Sequence, residues 1–103
     1  MELVTHKNLY LVAGRVSQSL GKEIAGLMGE ELGDPNLEDF ANGEIHCKFS
    51  ESIRGSDVFI IQTHCQTPNS SINDAVMEQL IMVDAAKRAS AKRITVVCPH
   101  YGY

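Results

Sequence analysis

With 103 residues, of which 44% are apolar and 21% charged, the chain is long enough for one small globular domain and too short for two. Its net charge of −4 argues against a general nucleic-acid or anionic-membrane surface, because such surfaces need clustered Lys and Arg. The three widely spaced cysteines are typical of a reduced, cytoplasmic protein, and the N-terminus predicts neither a signal peptide nor a membrane span.

The first third of the chain predicts one strand and one helix. Residues 9–13 form an unbroken apolar run, which is typical of a strand covered on both faces in a parallel sheet. Residues 18–32 place most of their apolar side chains on one side, which predicts an amphipathic helix over one face of that sheet. Ser17 is the predicted N-cap of this helix and Gly33 its predicted end.

The hydrophobic pattern changes its period after residue 36. Residues 37–41 predict a short strand, and Asn42-Gly43 is a strong signal for a two-residue hairpin turn. Residues 44–50 alternate between apolar and polar side chains, which predicts a half-exposed antiparallel strand.

The rest of the chain predicts a strand, a helix and a second strand. Residues 57–63 predict a central strand and residues 94–98 another buried one, while Ser71 and Asp74 have the spacing of a capping box that opens a helix over about 72–89. Because apolar residues surround most of this helix, we expect it to pack on the sheet and also on another domain or subunit. This element order predicts an α/β fold with a mainly parallel sheet, in which ligands bind beyond the carboxyl ends of the strands.

Two interpretations of residues 40–44 (FANGE) are open. The first is a hairpin that carries one packed aromatic side chain. The second is an adenine-binding loop, in which Phe40 stacks on the base, Asn42 pairs with its edge, and Glu44 accepts a hydrogen bond from the exocyclic amine or a ribose hydroxyl. The spacing of the residues does not decide between them.

Two interpretations also remain for the arginine of Arg54-Gly55. Its guanidinium can hold a phosphate through paired hydrogen bonds, or it can lie in a solvated turn and pair with Glu51 or Asp57. The basic run 87–93 is typical of a helix C-terminus that complements the helix dipole, but with Ser90 it can also form an anion pocket.

The sequence gives no basis for catalytic or metal-binding residues within the chain. Its histidines have no metal-ligand spacing, no nucleophile has an assignable base, and no glycine-rich phosphate-binding motif follows the first strand. Asp84 has Lys87 and Arg88 three and four residues later, which predicts a structural ion pair.

Several motifs together resemble one enzyme family. The segments are FANGE (40–44), ESIRG (51–55), VFIIQ (58–62), MEQLIMVDA (77–85), KRASA (87–91) and PHYGY (99–103). In this order they resemble ribose-phosphate pyrophosphokinase, also called phosphoribosyl pyrophosphate synthetase. The resemblance runs from about residue 9 to the last residue, and the chain is similar to the first third of a bacterial member.

This resemblance implies a phosphoribosyltransferase-like, three-layer α/β domain with a mainly parallel sheet and a β-hairpin. Residues 1–103 then form an incomplete N-terminal domain, truncated at its C-terminus, and a second domain is absent. The implied enzyme is a cytoplasmic transferase of nucleotide biosynthesis, a kinase that moves the β,γ-diphosphoryl group of ATP to the 1-hydroxyl of ribose 5-phosphate. The reaction uses Mg²⁺, gives AMP and 5-phosphoribosyl 1-diphosphate, and takes place in a homohexamer.

The resemblance also assigns two groups of binding residues. The hairpin holds the adenine of ATP in a neighbouring subunit's site, with Asn42 in place of a frequent Asp. The matching ATP-binding residues are Phe40, Asn42, Gly43 and Glu44. The residues that match the family's regulatory site for ADP or phosphate are Arg54, Ala89 and Ser90.

The family's catalytic groups and Mg²⁺ ligands lie downstream of residue 103, so we expect the chain alone to be inactive. An alternative is a non-catalytic regulatory or associated subunit that binds nucleotide and hetero-oligomerises through the apolar helix. A third is a small α/β domain that shares only the fold.

Overall fold

A computed structural model describes residues 8–103; residues 1–7, part of the stretch considered for a signal peptide, lie outside them. In chain order, the elements are strand β1 (Leu9–Ala13), helix α1 (Gln18–Met28), strands β2 (Glu38–Asp39), β3 (Ile45–His46) and β4 (Asp57–Ile61), helix α2 (Ile72–Arg88) and strand β5 (Arg93–Val97). A short 3-10 helix, Arg15–Ser17, precedes α1. Neither helix within residues 8–103 is long and apolar enough to cross a membrane.

Three parallel strands form the sheet, in the order β1, β4, β5. The central position of β4 fits its nearly continuous apolar sequence, because a central strand is covered on both faces. Strands β2 and β3 pair separately as an antiparallel hairpin. The predicted parallel sheet with an added hairpin is therefore confirmed.

The face of the sheet toward α2 carries the main hydrophobic core. Its buried members are Tyr10, Val12, Ile53, Val58, Ile60, Met82 and Ala86. The strand members come from alternate positions and the helix members from one side of α2, as the two periodicities require, while Ile53 lies in the segment between β3 and β4. Full burial of one large apolar side chain stabilises a fold by about 1.5–3 kcal/mol, so this cluster holds α2 on the sheet.

The opposite face of the sheet packs on α1, which completes three layers. Gly21 lies so close to β1 that a Cβ built on it would be 2.7 Å from the Cβ of Ala13. The missing side chain therefore permits the close approach of helix and strand. Beside α1 remains an apolar groove of about 170 Å³, lined by Leu9, Leu11, Ile24, Met28, Phe59, Ile61 and Val97.

The predicted end of the first helix is wrong. Helix α1 ends at Met28, because Gly29 adopts a left-handed conformation (φ 68°) and its N–H donates to carbonyls of the last helical turn. Leu32 lies outside the helix and forms a parallel β-bridge with Leu11. Gly33, the predicted end, follows that bridge and donates its N–H to the Leu11 carbonyl at 2.7 Å.

The hairpin strands are shorter than the predicted ranges 37–41 and 44–50. Only two residue pairs are in register, one of which is Asp39 with Ile45. Beyond them the backbone turns to a different partner, since the Lys48 N–H donates to the Pro35 carbonyl at 3.0 Å. The predicted alternation holds, with apolar side chains half-buried and polar ones exposed from 44 to 50.

Helix α2 begins at the predicted capping box. The Ser71 hydroxyl accepts from the Asp74 N–H at 3.1 Å, and the Asp74 carboxylate accepts from the Ser71 N–H at 2.8 Å. On the side away from the core, Met77 and Leu80 are 50% and 53% exposed. The helix is thus apolar on more than the face that it buries, and its second packing partner stays a prediction.

The last turns of α2 contain the predicted ion pair. Arg88 Nε lies 2.8 Å from Asp84 Oδ2, four residues earlier in the helix. Both side chains are largely exposed, and exposed pairs of this kind contribute about 0.3–0.5 kcal/mol.

Two methionines of α2 provide a matched test of the core. Met82 is fully buried, so Met82→Ala should lower the free energy of unfolding by about 2–5 kcal/mol through lost burial and a residual cavity. Met77→Ala, which truncates a half-exposed side chain of the same helix, should change it by about 0.5 kcal/mol or less. Urea unfolding followed by circular dichroism measures both, and equal losses would show that α2 does not pack as described.

Candidate functional site

The tip of the hairpin is closed by its own backbone. The Phe40 N–H donates to the Glu44 carbonyl at 2.7 Å, and the Gly43 N–H donates to the Phe40 carbonyl at 2.8 Å. Gly43 has φ 93°, a region that side-chain-bearing residues rarely adopt. Residues 40–44 therefore form one defined turn rather than an open loop.

The side chains of this turn offer one aromatic ring and one polar pair. Phe40 is 51% exposed, and its ring centroid lies 5.4 Å from that of His46 at an interplanar angle of 43°. The Asn42 carboxamide accepts from the Glu44 N–H at 3.0 Å and donates to the Glu44 carboxylate. Asn42 and Glu44 are both exposed, so an accessible ring stands near an ordered amide and carboxylate.

The predicted regulatory residues, Arg54, Ala89 and Ser90, come from two chain segments that are in contact. The Gly55 N–H donates to the Ser90 carbonyl at 2.9 Å, which joins the 54–55 turn to the residues that follow α2. Gly55 and Ser90 both adopt positive φ, at 73° and 65°. Arg54, Ala89 and Ser90 are exposed, and within residues 8–103 no ion pair joins Arg54 to Glu51 or Asp57.

A cleft of about 510 Å³ opens between α2 and residues 45–53. Lys48 and Arg88 line it together with Cys47. Burial, with a smaller effect of the negative charge on Glu78, raises the pKa of the Cys47 thiol to about 11. The thiol is therefore protonated at neutral pH and is a poor nucleophile.

The carboxyl ends of β1 and β4 carry a polar network that the sequence analysis missed. Its centre is Glu78, a carboxylate of α2 that is only 3% exposed. Glu78 accepts from the Arg15 backbone N–H at 2.6 Å, from Arg15 Nε at 2.8 Å and from Gln62 Nε2 at 3.4 Å. Three donors thus satisfy a charge that would be costly to bury alone.

The same arginine reaches the hairpin. Arg15 Nη2 donates to the Asp39 carboxylate at 2.8 Å, so one guanidinium bridges Glu78 and Asp39. Hydrogen bonding to Asp39 is the largest influence that raises the pKa of Arg15, and the Arg15 guanidinium in turn lowers the pKa of Asp39.

Ser17 belongs to this network and is not the side-chain cap of α1. Its hydroxyl donates to Gln62 Oε1 at 3.1 Å and accepts from the Thr63 N–H at 3.0 Å. Gln62 also donates to the Ala75 carbonyl at 3.1 Å. The sequence does contain one signal for the network, because Glu78 falls on the buried side of α2 with Ala75, and a buried carboxylate needs donors.

His64 is a buried structural histidine. Its Nδ1 accepts from the Gly102 N–H at 2.8 Å, so in the neutral ring Nε2 carries the proton and donates to Gln79 Oε1 at 2.6 Å. Both ring nitrogens are therefore occupied by protein partners. Through His64 they connect the segment after β5 to the middle of α2.

Comparison with known proteins gives the family. The family described as the N-terminal domain of ribose phosphate pyrophosphokinase matches residues 9–103. The chain belongs to the ribose-phosphate pyrophosphokinase family. The resemblance in the sequence motifs is thus confirmed.

Over the aligned residues, relatives in this family are about 50% identical to the chain. A ribose-phosphate pyrophosphokinase of Bifidobacterium longum (strain NCC 2705) is 50% identical over 97 residues, which cover 94% of this chain and 27% of that protein. The chloroplastic ribose-phosphate pyrophosphokinase 1 of Arabidopsis thaliana is 48% identical over 99 residues, which cover 96% of this chain and 24% of that protein. The chain therefore spans about a quarter of the length of these relatives.

Solved structures confirm the predicted phosphoribosyltransferase-like fold. The crystal structure of phosphoribosylpyrophosphate synthetase from Mycobacterium smegmatis superposes with a TM-score of 0.85 at 47% identity, over 94% of this chain and 31% of that chain. A purine phosphoribosyltransferase from Pyrococcus horikoshii Ot3 has a TM-score of 0.58 at 13% identity, over 89% of this chain and 60% of that chain. This match shows similarity of fold alone. The roles of the hairpin and of the Arg54 turn stay predictions.

Proposed function

We propose that the chain is the N-terminal portion of an ATP:ribose-5-phosphate diphosphotransferase of nucleotide biosynthesis. The complete enzyme transfers the β,γ-diphosphoryl group of ATP to the 1-hydroxyl of ribose 5-phosphate and releases AMP. The observation that carries the proposal is the family match over residues 9–103. We place the complete enzyme in the cytoplasm as a homohexamer, with residues 1–103 as an incomplete first domain and no nucleic-acid or membrane partner.

In this proposal the chain contributes binding, and the remainder of the enzyme contributes the chemistry. Diphosphoryl transfer needs cations placed around the developing phosphate charge, and Mg²⁺ supplies them in this family. The described residues do not fit a Mg²⁺ site, since residues 8–103 contain no group of three His, Cys, Asp or Glu side chains that could hold a metal. We therefore assign Mg²⁺ and catalysis to residues downstream.

The hairpin turn is the proposed ATP-binding element, through Phe40, Asn42, Gly43 and Glu44. Its half-exposed ring can stack on adenine, while the amide of Asn42 and the carboxylate of Glu44 can exchange hydrogen bonds with the base edge or a ribose hydroxyl. Their mutual hydrogen bonds order both groups before a ligand arrives, which lowers the entropy cost of binding. We propose that the nucleotide is held mostly by a neighbouring subunit.

A first test removes the aromatic ring in the complete gene product. Stacking of a base on an aromatic side chain is worth about 1–3 kcal/mol, so Phe40→Ala should weaken ATP binding by about 5- to 150-fold. Leu27→Ala, which removes a 90% exposed side chain of α1, should leave it unchanged. Isothermal titration with ATP measures both, and a Phe40→Ala protein with unaltered affinity would exclude the stacking role.

The surface where the 54–55 turn meets the end of α2, with Arg54, Ala89 and Ser90, is the proposed regulatory site for ADP or phosphate. Support comes from the 2.9 Å hydrogen bond that joins Gly55 to Ser90, and from the exposure of Arg54. An arginine beside a short, tightly turned backbone can hold a phosphate through paired hydrogen bonds.

A second test concerns regulation. Arg54→Gln should raise the ADP concentration that half-inhibits the complete enzyme by about tenfold or more, because a hydrogen bond to a charged group contributes about 1.5–3 kcal/mol. Lys22→Gln removes the same charge from the exposed side of α1 and should not change it. Inhibition curves at saturating ATP provide the measurement, and equal curves for the Arg54→Gln and unmodified enzymes would reject the assignment.

A third test addresses activity itself. The 103-residue chain should form no AMP from ATP and ribose 5-phosphate with Mg²⁺, whereas the complete gene product should form it. Chromatographic detection of AMP, with a no-protein control, separates the two outcomes. Turnover by the isolated chain would contradict the proposed division between binding and catalysis.

One alternative has an observation in its favour. The half-exposed Met77 and Leu80 of α2 fit a non-catalytic associated subunit that binds nucleotide and hetero-oligomerises through this helix. A complete gene product that binds ATP but forms no AMP by itself would favour this alternative.

A further inference from the structure

We propose that Arg15 is a positioning residue that holds the stem of the nucleotide-binding hairpin through Asp39. The inference concerns the orientation of residues 38–46, and only its link to ATP rests on the proposed function. It follows from how Arg15 is held, where Asp39 lies in the hairpin, and how few residue pairs join the two strands of that stem.

The guanidinium of Arg15 is oriented from inside the protein. Its Nε and the backbone N–H of the same residue both donate to the buried Glu78 carboxylate, at 2.8 and 2.6 Å. A guanidinium is planar, so the direction of Nη2 is fixed once Nε is engaged. Nη2 then meets Asp39 at 2.8 Å.

Asp39 is the last residue of β2 and directly precedes Phe40. It pairs in register with Ile45, so the ion pair holds the last rung of the hairpin before the turn. A link at this residue controls where the Phe40 ring points more directly than a link farther down the stem would.

The pairing between the two strands of the stem is short, and the packing of Leu37, Cys47 and Phe49 on the core lies on either side of it. The hairpin has only two residue pairs, and two-stranded hairpins are marginally stable in water. A cleft of about 510 Å³ separates it from the 67–70 loop, and Arg15 and Asp39 both line that cleft. Arg15 therefore bridges a gap that packing does not fill.

Asp39→Ala is the variant that tests this link, because it leaves the Arg15–Glu78 pair intact. Protection of the Phe40 and Gly43 amides against hydrogen exchange should fall by about fivefold or more, while the amides of β4 keep theirs. Glu38→Ala removes the neighbouring exposed carboxylate of β2 and should change the exchange of neither the hairpin amides nor the β4 amides. Asp39→Glu should restore protection. Arg15 variants are less informative, since they leave Glu78 buried without its cation.

The same variants in the complete gene product connect the stem to ATP. Asp39→Ala should raise the KM for ATP by about fivefold or more with a smaller change in kcat, and Glu38→Ala should not. Unchanged exchange at Phe40 and Gly43 in Asp39→Ala would overturn the positioning role. Faster exchange with an unchanged KM would uphold that role and instead reject the hairpin as an ATP contact.

Discussion

The carboxyl end of this sheet depends on the neutralisation of one buried carboxylate. Glu78 is 3% exposed, and it is satisfied by the backbone and side chain of Arg15 and by Gln62. These donors come from the 3-10 helix after β1 and from the end of β4, while Glu78 itself belongs to α2. The Arg15 side chain is 40% exposed, but without it the buried Glu78 carboxylate would lose its cation, so the charge constrains all three elements together.

The apolar core and this polar network make different contributions to the structure. Burial of side chains such as Val58 and Met82 attaches α2 to the sheet, but apolar contact is non-directional. Hydrogen bonds with fixed donors and acceptors set the relative placement of the strand ends, where ligands gather in α/β sheets. Through Arg15 the same network reaches Asp39, and so connects α2 and the sheet to the hairpin formed by β2 and β3.

Local signals in the sequence predicted local structure well. The strand at 9–13 and the Ser71 capping box follow from residue types and spacing within a few positions. The predicted two-residue turn at Asn42-Gly43 is wrong, because the Phe40 N–H donates to the Glu44 carbonyl and the turn therefore spans residues 40–44. The end of α1 was misplaced because Gly29 competes with Gly33, and periodicity does not rank them. The Arg15–Glu78 pair joins residues 63 positions apart, a contact that only the tertiary fold creates. The order of the motifs along the sequence indicated the family.

The narrow spacing between α1 and β1 has a consequence for how this domain can vary. With a hypothetical Cβ at Gly21 only 2.7 Å from that of Ala13, the two positions share a single volume. Enlarging either side chain must push the helix outward, which would widen the adjoining apolar groove and expose more of Leu11 and Ile61 to water. A larger residue at position 21 is therefore expected only with a smaller one at position 13, as paired rather than independent sites in any redesign of this layer.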